Sequence, residues 1–150
     1  MVSISLDNPL VQTYIFYSAV LALKLFFVAI LTGAARGKKN VYANPEDAAA
    51  RKGTVKFDDP DVERTRRAHL NDLENIPAFW VLGALYLTTD PIVGWATLLF
   101  RAFALARIAH TIVYAVVPLP PPSRGIAFGV SFLVNVYMGV QVVLYYLSAM

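Results

Sequence analysis

Between Gly125 and Met150 the chain runs 26 residues without a charged side chain, and between Pro9 and Ala35 it runs 27 with one, Lys24. About 20 helical residues cross the ~30 Å hydrocarbon core of a bilayer, so either run is long enough to span one. Two middle segments are less pure. Ile76 to Thr89 is uncharged, but helical character extends back through polar residues to about Asp61. Pro91 to Pro118 is apolar apart from Arg101, Arg107 and His110. Only 15% of the residues are charged, against about one quarter in soluble domains. That balance argues against a soluble enzyme, a disordered chain and a nucleic-acid-binding arm. The expectation is an all-α membrane protein forming one domain over residues 1–150. Four spanning helices are expected at about 9–36, 61–88, 91–117 and 124–148, with a loop at 37–60. The first segment is too long for the core of a secretory signal and has no basic stretch ahead of it, so it reads as a retained helix.

Charge placement sets the expected orientation. Nine of the 13 basic residues lie between Arg36 and Arg67, whereas the turn at 88–91 carries only Asp90. Basic loops stay cytoplasmic. The 37–60 loop and the Pro-rich 118–123 connector therefore face the cytosol, and both termini and the 88–91 turn face away. Within the loop, Asn44-Pro45-Glu46-Asp47 reads as a short helix start, with a capping residue, proline at the first position and acids in the first turn. Asp58-Asp59-Pro60-Asp61 starts the second long helix in the same way.

Ionisable groups at membrane depth are costly unless paired or hydrated, and they mark functional positions. On the second helix Arg67, Asn71 and Glu74 stand at i, i+4 and i+7, one stripe about 60° wide, while His69 and Asp72 point elsewhere. On the third, Arg107, His110, Thr111 and Tyr114 form a similar stripe. The fourth begins at Ser123-Arg124-Gly125, where unpaired N–H groups add to the charge of Arg124. All three regions fall at one depth, near the cytosolic face. Arg36, Arg66, Arg67, Arg107 and Arg124 there oppose Glu74 and Asp72. Such a set suits an anionic ligand that also carries an ammonium group, with arginine forks on its carboxylates and Glu74 on its amine. Each residue alone has a plainer reading. Arg67 and Glu74 can be a structural pair, Tyr114 an interface aromatic, Lys24 a cation without function that snorkels or caps a helix contact, and Arg101 a partner within the bundle. Two histidines on separate helices do not make a metal set. With no cysteine in the chain, disulfides, thiolate metal sites and catalysis by the protein's own thiol are excluded.

The block Arg66-Arg67-Ala68-His69-Leu70-Asn71-Asp72-Leu73-Glu74-Asn75 resembles the second-helix signature of the microsomal glutathione transferases. These belong to the membrane-associated proteins in eicosanoid and glutathione metabolism, the MAPEG family. Ala43-Asn44-Pro45-Glu46-Asp47, Asp59-Pro60-Asp61-Val62-Glu63-Arg64, the run from Arg107 to Tyr114, and Pro118-Leu119-Pro120 with Arg124 are similar to further blocks of the family, in order, over about residues 20–130. The resemblance implies a four-helix membrane bundle assembled as a homotrimer, with active sites between subunits. It implies glutathione as co-substrate and no metal. Arg36, Arg66, Arg67, His69, Asn71, Glu74, His110 and Tyr114 would hold the tripeptide, and Arg124, as the catalytic residue, would lie beside its sulfur. The second substrates would be lipophilic electrophiles or lipid hydroperoxides met at the membrane surface, with no nucleic acid involved. The site would face the cytosol from the endoplasmic reticulum or the outer mitochondrial membrane.

Within the family, the alternatives to a transferase are a prostaglandin E synthase-type isomerase and a non-enzymatic lipid-binding protein. Leu70 stands where the synthase type carries Arg, and Gly125 and Phe128 where it has Ser and Tyr. The 118–122 connector is also of the transferase kind, and retention of Arg67, Glu74 and Arg124 argues against the non-enzymatic binder. A pore lined by the charged stripes is a further alternative outside the family. Some family transferases carry a loop cysteine after the Asn-Pro-Glu-Asp block whose modification raises activity. This chain has Ala48 there, so no activation by thiol reagents is expected.

Overall fold

In the computed structural model, which describes residues 5–150, four long helices run alternately up and down. Helix α1 is Pro9–Lys39. A strand β1 (Val41–Tyr42), a short helix α2 (Pro45–Ala50) and a strand β2 (Thr54–Val55) fill the first connection. Then come α3 (Pro60–Leu87), α4 (Val93–Thr111) continued by a π-helical turn at Ile112–Val116, and α5 (Ser123–Leu147).

Local chemistry explains the starts. The Asn8 side chain accepts from Leu10 N–H and that of Asp59 from Asp61 and Val62 N–H, and in both cases proline follows at the first helical position. Pro has no N–H to leave unsatisfied there, and its fixed φ suits the helix. Asn40 ends α1 in the left-handed region at φ 54°, where Asn is among the few residues tolerated. Inside α3, Pro77 removes one helical donor. The turn before it is fastened by Asn75 Nδ2, which donates to the Asn71 carbonyl at 2.8 Å, and by Asn135 Nδ2 of α5, which donates to the Asn75 carbonyl at 3.0 Å.

The 37–60 connection is more ordered than a loop reading of the sequence expects. β1 and β2 pair in parallel, Val41 with Thr54 and Tyr42 with Val55, and α2 is the crossover between them. Two-residue strands lie below any detectable alternation, so this ladder leaves no trace in the sequence. Gly53 makes it possible. A Cβ there would stand 2.5 Å from Tyr42 Cε2 and 2.7 Å from the Asn40 carbonyl oxygen. Gly53→Val should therefore open the connection, an overpacking cost on the order of 1–3 kcal/mol. Limited proteolysis at Arg51 and Lys52 should accelerate while the helices stay intact. Unchanged cleavage would refute the tight packing.

α1 and α5 occupy opposite corners, each packed on both α3 and α4, which themselves meet only sparsely. The core is aromatic. Phe79 of α3 stacks on Phe103 of α4 at 4.3 Å and meets Phe100 edge-on at 5.8 Å. The Tyr14 hydroxyl of α1 donates to the Trp80 carbonyl at 2.5 Å. The outer faces are apolar as well, with Phe26, Ile30, Leu133 and Val143 all more than 60% exposed. A water-facing surface does not carry such continuous apolar faces, but lipid suits them. Three helical stretches are long and apolar enough to cross a membrane: Pro9–Lys39, Val93–Val116 and Ser123–Leu147. α3 has the length, but charged side chains fill its first half.

Candidate active site

At the end of the bundle that carries the 37–60 connection, α3, the π turn and the start of α5 line an open cavity of about 520 Å³. Arg67, Leu70, Asn71 and Glu74 line it from α3, His110 and Tyr114 from α4 and its π turn, and Arg124, Gly125 and Phe128 from α5. Helical spacing explains the α3 wall, since positions three, four and seven apart share one face.

On the α4 wall the π turn adds to the helical spacing of His110 and Tyr114. Val117 N–H reaches back five residues to the Ile112 carbonyl at 2.8 Å. Such a turn advances fewer degrees per residue than an α-helix, so by the third residue it has swung Tyr114 back by roughly 50°, from above Arg107 to above His110. The Tyr114 and His110 rings meet edge to face at 5.4 Å. The Arg124 guanidinium then lies over the Tyr114 ring, 5.2 Å from its centre. This cation–π contact holds the exposed Arg124 at the cavity wall. No side chain caps α5. Its first N–H groups and positive dipole end therefore add to Arg124 and favour an anion at that corner.

Behind the cavity lies a buried charge cluster. Arg107 has no solvent exposure, nor does Asp72. Arg107 Nε and Nη2 donate to Asp72 Oδ1 at 3.0 and 2.5 Å, Nη1 donates to Ser131 Oγ at 3.3 Å, and Nη2 also donates to Asn71 Oδ1 at 2.8 Å. The same Nη2 stands 3.4 Å from His110 Nδ1. The other Asp72 oxygen accepts from the Lys24 ammonium of α1 and from Thr111 Oγ1 at 3.4 Å. One carboxylate thus joins α1, α3 and α4, and Arg107 extends the network to α5.

This cluster decides between the two readings of Lys24, in favour of a helix contact, and corrects those of Arg107 and Asp72. Lys24 does not snorkel. It lies 15 residues along α1, about 22 Å from the helix start, too deep to reach an interface, and it pairs with Asp72 instead. Arg107 and Asp72 are not pocket charges. Arg107 holds Asn71 and His110 from behind, and Asp72 fixes Arg107. The i, i+3, i+7 stripe placed Arg107 beside His110 correctly but could not show that its edge turns inward.

The remaining candidates fall as follows. Among the ion pairs of the described residues none joins Arg67 to Glu74, and both side chains line the cavity. Arg36, Arg66 and His69 are not in its wall. Arg66 turns back to Glu63 at 3.1 Å on the exposed side of α3. Arg36 Nη1 is buried without a hydrogen-bond partner among the described residues. Leu70, Gly125 and Phe128, the positions at which the sequence reading expects a difference from the synthase type, all line the cavity.

Comparisons with known proteins bear on the same residues. Microsomal glutathione S-transferase 1 of Rattus norvegicus is 42% identical over 138 residues, 89% of this chain and 88% of that protein. The Homo sapiens protein of that name is 40% identical over 139 residues, again 89% and 88%. Prostaglandin E synthase of Homo sapiens is 38% identical over 144 residues, 93% and 92%. Residues 14–144 match the model of the MAPEG family. That stretch holds every residue of the cavity and of the charge cluster, and by this match and these relatives the chain belongs to the MAPEG family.

Proposed function

We propose that this protein is a membrane-bound glutathione transferase, joining the thiolate of glutathione to lipophilic electrophiles. The observation that carries the reading is the cavity itself. It gathers Arg67, Asn71, Glu74, His110 and Tyr114 with Arg124 at a helix N-terminus, in a chain without cysteine. Arg67 would take a glutathione carboxylate and Glu74 its ammonium group, leaving the sulfur toward Arg124. A free thiol has a pKa of about 8.5. Each unit by which Arg124 and the α5 dipole lower it corresponds to about 1.4 kcal/mol of preference for the thiolate. The thiolate then attacks the electrophilic carbon, a C–S bond forms, the leaving group departs with the bonding electrons, and the thiol proton goes to water. With a lipid hydroperoxide, the same thiolate attacks the terminal oxygen. The O–O bond breaks, a lipid alcohol leaves, and a second glutathione closes the disulfide with release of water.

The apolar Leu70, the small Gly125 and Phe128 without a hydroxyl favour conjugation over prostaglandin isomerisation, because they remove from the cavity wall the polar groups of the synthase type. Four membrane crossings, α3 included, fit a single unit over residues 1–150. Its basic 37–60 connection supports a cavity on the cytosolic side, in the endoplasmic reticulum or the outer mitochondrial membrane. A homotrimer would bring Arg36, Arg66 and His69 of neighbouring copies to the cavity and give the buried Arg36 Nη1 a partner.

The test is conjugation of a chlorinated nitrobenzene by detergent-purified protein, with glutathione binding measured in parallel. Turnover supports the transferase. Binding without turnover would convert the reading to a non-enzymatic binder. Because Ala48 is buried in α2 and the chain has no thiol, pretreatment with N-ethylmaleimide, removed before assay, should leave the rate unchanged. Stimulation would contradict this.

A further inference from the structure

Two arginines on α4 have opposite fates. Arg107 is buried and paired with Asp72, while Arg101, six residues earlier, is exposed. Arg101 Nε donates to the Tyr17 hydroxyl of α1 at 3.1 Å. Among the described residues no carboxylate stands within ion-pair distance of it. Arg101 lies eight residues after the start of α4 and Tyr17 eight after the start of α1, so both sit about 12 Å inside helices that begin at the same end. A lone guanidinium facing hydrocarbon at that depth costs several kcal/mol. A cavity of about 390 Å³ opens beside it, lined by Pro9, Gln12, Thr13, Tyr17 and Thr97 as well as Arg101. The cavity runs from Arg101 back to Pro9 at the helix start. An arginine side chain is ~6 Å long, so one extending along this cavity would bring its charge toward headgroup level.

We infer that this cavity holds the phosphodiester of a membrane phospholipid, in the leaflet opposite the candidate active site. Both Nη groups of Arg101 are without a partner among the described residues, and they form the planar fork that suits phosphate oxygens. The Tyr17 hydroxyl accepts from Arg101, which leaves its own hydrogen to donate, and the Thr97 hydroxyl supplies a further donor. Phe16, at the cavity wall and 60% exposed, lies where an acyl chain would leave the headgroup. The site uses none of the residues placed around glutathione, so it stands or falls independently of the transferase reading.

Native mass spectrometry of the full chain in detergent tests it, with phosphatidylcholine titrated against a diacylglycerol carrying the same acyl chains. Phosphatidylcholine should remain bound at collision energies that strip the diacylglycerol. Arg101→Leu should weaken its retention roughly tenfold or more, the loss of one charge-assisted contact, and Arg101→Lys should keep part of it. Thr97→Val and Tyr17→Phe, milder changes in case Arg101→Leu fails to fold, should each lower retention. The rate of glutathione conjugation should not change in any folded variant. Equal retention of the two lipids, or equal retention by wild type and Arg101→Leu, would overturn the assignment. So would displacement of the lipid by inorganic phosphate, which would make this a free-anion subsite. A wild-type oligomer that binds no phospholipid would overturn it too, since Arg101 would then be covered by a second copy.

Discussion

Asp72→Ala should cost this protein its folded state. The substitution leaves Lys24 and Arg107 buried in the bundle with no anion between them. Breaking a buried pair by removing one partner costs about 3–5 kcal/mol, and here one carboxylate serves two cations. Against a typical total of about 5–15 kcal/mol, that is a large fraction. Thermal unfolding in detergent, followed by circular dichroism, should show a much lower midpoint or no folded protein at all. Lys24→Met is the control. It leaves the Asp72–Arg107 pair intact and places an apolar side chain of similar length beside it, so the midpoint should move far less. Asp72→Asn should fall between, since one oxygen still accepts from Arg107. If Asp72→Ala and Lys24→Met unfold together at the wild-type midpoint, the cluster is hydrated and contributes little.

This cluster also marks where the sequence stops being informative. Uncharged runs locate the four long helices to within about three residues at most ends, because apolar length and caps such as Asp59-Pro60 act locally. Periodicity places Arg67, Asn71 and Glu74 on one wall for the same reason. What brings Lys24 to Asp72 is the packing of α1 against α3, 48 residues away in the chain. No local pattern reports that contact, and a lone lysine in an apolar run reads equally as a snorkelling residue. The π turn is hidden in the same way. Ile-Val-Tyr-Ala-Val carries no signal for a five-residue hydrogen bond, yet this turn carries Tyr114 over His110 and beneath Arg124. The stripe on α4 was therefore legible as a set, but which member faces the cavity and which supports it from behind was not.

Arg124→Ala should have the largest effect on turnover without harming the fold. The side chain is exposed, takes part in no ion pair among the described residues and rests on the Tyr114 ring. Its loss removes a cation from the corner where the sulfur would sit and leaves Arg67, Asn71 and Glu74 in place for the tripeptide's charges. Losing one preorganised group that stabilises developing charge commonly costs about 10²–10³ in kcat. Glutathione affinity should fall only a few-fold. The ultraviolet absorbance of bound thiolate should shrink at neutral pH and return only at higher pH, because the thiol's pKa rises when the positive charge is removed. Arg124→Lys keeps the charge without the flat guanidinium that rests on Tyr114, and should recover part of the thiolate signal. Tyr114→Phe keeps the ring and should leave Arg124 in position, so its effect on turnover should be smaller than that of Arg124→Ala. If affinity and turnover drop equally in Arg124→Ala and the thiolate titrates as in wild type, Arg124 only holds the ligand. The activation of sulfur would then rest on the α5 N-terminus alone.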